Sequence, residues 1–127
     1  MTDLELEGRI RRLVEGAVEV LRAAGEDHAA EKLRRAPIRA GNRYACAVRA
    51  LYAVEASLRA SHAGTLHNPR SPIPLAVEAI ALVRLALDAA ANASGLARPG
   101  TLAWLDAIAA RQRELRAACP GGAAAPG

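Results

Sequence analysis

Apolar residues recur at three- and four-residue intervals through most of this chain, and no run alternates for the length of a strand. The first spacing lines one face of a helix, whereas a strand would need a spacing of two. Composition agrees with the helical reading. Hydrophobic residues make up 52% of the sequence but aromatic residues only 2%, and Phe is absent. Ala and Leu therefore carry most of the apolar content, and both are strong helix formers. The β-branched and aromatic residues that favour strands are too few and too scattered to build a sheet. The chain is expected to be all-α, and its 127 residues suffice for one domain with a core that needs neither disulfide nor metal.

Capping signals divide the chain into helices. Thr2 followed by Glu5 is a capping-box arrangement, Asp3 suits the positive end of the dipole, and Gly25 is a stop. Between them Leu6, Ile10, Leu13, Ala17, Val20 and Ala24 form an inward face, widened by Val14, Val18 and Leu21. A short second helix is expected from about Asp27 to Ala36, with Asp27 as its cap and Pro37 ending it. Asn42 can cap a third helix reaching about Ala63, whose Tyr44, Ala47, Val48, Leu51, Val54 and Leu58 share one face. A neighbouring face is small throughout (Cys46, Ala50, Ala53, Ser57 and Ala60), which predicts tight packing of another helix there.

Ser71 followed by Pro72 predicts the start of a fourth helix running to about Ala93. Its polar stripe is narrow, Glu78, Arg84, Asp88 and Asn92, so it is either the centre of a bundle or shares a spare face with another subunit. Leu75, Ile80, Val83 and Leu87 are the residues expected at such an oligomer interface. Pro99-Gly100-Thr101 opens a fifth helix to about Ala118, with Leu102, Leu105, Ile108, Gln112 and Leu115 facing inward and Trp104 beside them. The expected architecture is a compact bundle of four long helices plus one short helix after helix 1. It occupies residues 1–118, with a disordered Ala/Gly/Pro tail over 119–127.

Cys46 and Cys119 have no metal-type spacing, and the opening Met1-Thr2-Asp3-Leu4-Glu5 is acidic and polar, unlike a signal peptide. No apolar run reaches the roughly 18–20 residues of a membrane span. The protein is expected to be cytoplasmic, with reduced thiols.

Basic residues outnumber acidic ones, 17 to 13, for a formal net charge of +4. Lys32, Arg34, Arg35, Arg39, Arg43 and Arg49 precede the next acid, Glu55, and span the junction of the second and third helices. Such a run could hold phosphates of a nucleic acid, with an affinity that falls steeply in salt. Tyr44, Tyr52 and Trp104 are too few for a base-stacking platform, so binding there would be sequence-independent. A solvated arginine surface is the competing account.

No catalytic, metal or cofactor motif emerges. His62, His67, Glu55 and Glu78 are the residues that could surround a metal, but the Glu-x-x-His pair of di-iron bundles is absent. His62 is followed by Ala63-Gly64-Thr65-Leu66 and lacks the lysine that follows the phosphorylated histidine of histidine phosphotransfer domains. Arg22 and His28 have the spacing of HEPN-type ribonucleases, without the polar residue expected after the arginine. Ser57, Ser61, Ser71 and Ser94 sit in capping or helical contexts, not on a strained elbow. The resulting expectation is a non-enzymatic interaction or accessory protein that docks to itself, as a homodimer, or to a partner protein. A nucleic-acid-binding subunit using the arginine run is the alternative, and a helical-bundle enzyme or phosphorelay module stands behind both.

Overall fold

The computed structural model describes residues 3–36, 38, 43–64, 68, 70–92 and 99–119. Those residues form five helices and no strand: α1 (Asp3–Ala23), α2 (Asp27–Arg34), α3 (Arg43–Ser61), α4 (Ile73–Asn92) and α5 (Pro99–Ala118). The all-α class, the helix count and the short second helix are as the sequence predicts. α1 packs on α2, α2 on α3, α3 on α4 and α4 back on α1, and α5 lies against both α1 and α4. Among the described residues no helix is long and apolar enough to cross a membrane.

The helix ends have local causes. α1 stops in a Schellman turn: Gly25 takes φ +81°, its N–H donates to Arg22 O, and Glu26 N–H donates to Leu21 O at 2.9 Å. A left-handed φ of this kind costs least at glycine. The turn passes directly into α2, so the N-cap is Glu26, not Asp27, and it makes no side-chain capping bond. Its carboxylate instead lies 2.7 Å from His62 Nε2, beyond the end of α3. α2 ends at Arg34, short of Ala36, because the residue before a proline is pushed out of helical conformation.

At the start of α4, Ser71 Oγ accepts the N–H of Ile73 at 3.2 Å, while Pro72 O accepts from Leu75 and Ala76. Serine as cap and proline as first helical residue thus act as their chemistry requires. α3 ends at Ser61, two residues before the expected stop. The capping roles expected of Thr2 and Asn42 lie outside the described residues.

The core is aliphatic. Ile10, Leu21, Leu33, Leu51, Ile80, Leu87, Ile108 and Leu115 are fully buried, and Tyr44 is the buried aromatic among them. Between them lie buried alanines, including Ala17, Ala47, Ala76, Ala79 and Ala86, which let neighbouring helices approach closely. α4 has three neighbours, α1, α3 and α5, and this explains its nearly all-round apolar surface. The packed region reaches one residue past the expected end of the domain. Cys119 is fully buried, its N–H donates to Leu115 O at 3.1 Å, and residues 120–127 lie outside the described part.

Candidate functional site

The basic run does not present six free cations. Lys32 and Arg34 are exposed on α2, Arg35 is exposed at its C-cap, and Arg49 is exposed on α3. Arg39 and the side chain of Arg43 lie outside the described residues. On α2 a single carboxylate engages two of the arginines. Arg34 Nε donates to Glu31 at 3.0 Å and Arg35 Nε donates to it at 3.1 Å. The hydrogen bond from Arg34, with the charges of both guanidinium groups, holds the Glu31 carboxyl down at about 2. This geometry follows from helical spacing, since residues three and four apart share a face.

The four α4 residues expected at an oligomer interface lie elsewhere. Ile80, Val83 and Leu87 are fully buried within the chain, and Leu75 is half-buried against the same core. They offer little or no surface to a partner, because α1, α3 and α5 all pack on α4. The small residues of α3 behave in the opposite way. Cys46, Ala53, Ser57 and Ala60 are exposed and Ala50 is half-buried, so none of the described helices closes over that face. Beside it Tyr52 is 51% exposed, and on α4 Leu85 is 39% exposed.

Tyr52 is held in place by Arg84, whose guanidinium carbon lies 4.2 Å from the ring centroid and whose Nη1 donates to the phenol oxygen at 2.9 Å. Arg84 also donates to the buried Glu55 at 3.4 Å, which accepts from Arg59 at 3.2 Å. Arg84 thus joins α3 to α4 through Tyr52 and Glu55 on the outer surface. Trp104, expected beside the inward face of α5, is 46% exposed.

The acids and histidines weighed as metal ligands are drawn apart. Glu55 pairs with Arg59 and Arg84, His62 with Glu26, and Glu78 with Arg111 at 2.5 Å. His67 lies outside the described residues. No group of three or more metal-ligating side chains occurs among the described residues.

A second surface was not singled out by sequence reasoning. Arg9 bonds to Asp106, Gln112 to Leu13 O and Arg116 to Glu19, so residue numbers rise together along α1 and α5. The two helices are therefore parallel. A groove of about 660 Å³ runs between them. Gln112 is buried and its Nε2 donates to Leu13 O at 2.7 Å. Gly16 makes room for it, since a Cβ there would stand 2.7 Å from Gln112 Oε1. The sequence signals for this site were a glycine inside a helical pattern and a glutamine in an apolar register. Neither identifies its counterpart on a helix nearly a hundred residues away.

No protein-family model matches the chain, and neither the curated proteins nor the solved structures include a significant match to it.

Proposed function

We propose that this chain is a non-enzymatic interaction module that self-associates through the outer face of α3. The observation that carries the reading is the exposed row of Cys46, Ala53, Ser57 and Ala60, which the described helices leave uncovered. Small side chains let a second backbone come close, and a symmetric dimer requires one surface to complement itself. A face made of small residues meets that requirement without a matching cavity. The exposed Tyr52 on the same helix adds apolar contact, and it is already oriented by Arg84, so little side-chain freedom is lost on docking.

Light scattering and sedimentation across the micromolar range test this. The expected result is a dimer that Ala53→Arg converts to a monomer with unchanged helicity, while Ala103→Glu on the exposed side of α5 leaves it intact. A wild-type monomer at every concentration would remove the proposal, as would an Ala53→Arg protein that dimerises normally. The nucleic-acid reading draws less support, because Glu31 engages two of the six cations on which it rests.

A further inference from the structure

In the groove between α1 and α5, two cations lie between two ion pairs without a partner among the described residues. At one end Arg9 reaches across to Asp106 at 3.0 Å, and at the other Arg116 reaches Glu19. Between them Arg12 lines the groove from α1 and Arg113 from α5, and neither has an ion pair or hydrogen bond with a described residue. An anion placed between two guanidinium groups is attracted to both. Their planar forks match the paired oxygens of a carboxylate or phosphate. The rest of the lining is different in character: Gly16, Ala109 and Ala117 present apolar surface, with Leu13, Leu105 and the Gln112 amide buried beneath them.

The size of the groove narrows the class of ligand. From Arg9 to Glu19 it follows about 15 Å of helix, from the rise of about 1.5 Å per residue, and a cross-groove ion pair marks each end. A partner helix or a polymer would have to pass those pairs, whereas a short molecule fits between them. The volume of about 660 Å³ falls among small-molecule sites, which span roughly 300–1,000 Å³. We propose that this groove binds a small organic oxyanion, with its carboxylate or phosphate held between Arg12 and Arg113 and its apolar body against Ala109 and Ala117. The site lies on α1 and α5 and does not depend on any role of α3.

Calorimetric titration of the full chain with octyl phosphate, octanoate and uncharged octanol tests the proposal. One or both anions should bind saturably at one site, and octanol should bind at least about tenfold more weakly, about 1.4 kcal/mol. Comparing the two anions distinguishes a phosphate ligand from a carboxylate one. The Arg12→Gln/Arg113→Gln double variant should lose at least about tenfold in affinity, the same 1.4 kcal/mol, whereas Arg70→Gln, on the exposed surface before α4, should not. The Gln112 side-chain amide should shift in NMR spectra of the unmodified protein on binding, which locates the site without any variant. Absence of saturable anion binding at millimolar concentration would overturn the proposal. So would equal affinity for octanol, undiminished binding by the double variant, or a Gln112 amide that does not move.

Discussion

Gly8 and Gly16 both lie within α1, in different surroundings. A Cβ at Gly8 would meet nothing within 4 Å, whereas one at Gly16 would stand 2.7 Å from Gln112 Oε1 and 3.3 Å from its Cδ. Gln112 has little room to withdraw, being buried and bonded to Leu13 O at 2.7 Å. Alanine is favoured over glycine inside a helix by about 0.5–1 kcal/mol. Gly8→Ala should therefore raise stability by about that amount. Gly16→Ala should instead lower it by about 1 kcal/mol, because displacing Gln112 disturbs a buried hydrogen bond. Urea denaturation of the two variants separates these outcomes, and Gln112→Ala in the Gly16→Ala background should recover part of the loss through their coupling. Equal stability gains in both variants would show that the contact at Gly16 is slack.

Eight residues are too few for a stable isolated helix, so α2 (Asp27–Arg34) depends on its attachments. Ala30 and Leu33 are buried in the core, and the Schellman turn at Gly25 sets the direction of entry. Glu26 joins its start to His62. At its far end the carboxylate of Glu31 gathers Arg34 and Arg35. The Glu31 carboxyl is held at about 2, against an ordinary 4.5. A carboxyl depressed on folding contributes stability that is complete above its unfolded value and is lost as pH falls through its folded value. The clamp should therefore be complete above about pH 4.5 and released as pH falls to about 2. An NMR titration of the Glu31 carboxyl should show a midpoint near 2, with helical shifts at Arg34 and Arg35 moving over the same range. In Glu31→Gln that movement should vanish. An ordinary midpoint would mean that the clamp does not form in solution.

At the scale of the whole molecule, the arrangement separates residues that hold the chain together from residues able to face another. α4 lies among α1, α3 and α5, and Ile80 and Leu87 are fully enclosed there. Deleting such a side chain removes its transfer energy and leaves a cavity. Ile80→Ala is therefore expected to cost about 2–5 kcal/mol of folding stability while leaving the association state of the folded fraction unchanged. Ala53→Arg should show the reverse, an altered association state with nearly unaltered stability. Denaturation curves and light scattering on the same two proteins check both. If Ile80→Ala changed assembly more than stability, the division between core and docking surface would be wrong.

Much of this architecture was legible in short stretches of chain. Gly25 as a stop, Ser71-Pro72 as a start and the apolar spacing of Leu6, Ile10 and Leu13 act through the backbone within a turn or two, so local chemistry determines them. The same local rules account for the position of α5 and for the inward turn of Gln112 and Leu115. They do not say which helix meets which. α4 is apolar on nearly every side, and periodicity could not distinguish a bundle centre from a subunit interface until α5 was seen to lie on it. The small face of α3 promised close packing, yet in the folded chain it stays exposed. The groove of α1 and α5 exists only because the two helices run parallel and Gly16 meets Gln112. Helix boundaries and the class of the fold are set by interactions a few residues long, and the sequence determined those. Burial, exposure and the facing of distant charges depend on contacts nearly a hundred residues apart, which only the tertiary structure decided.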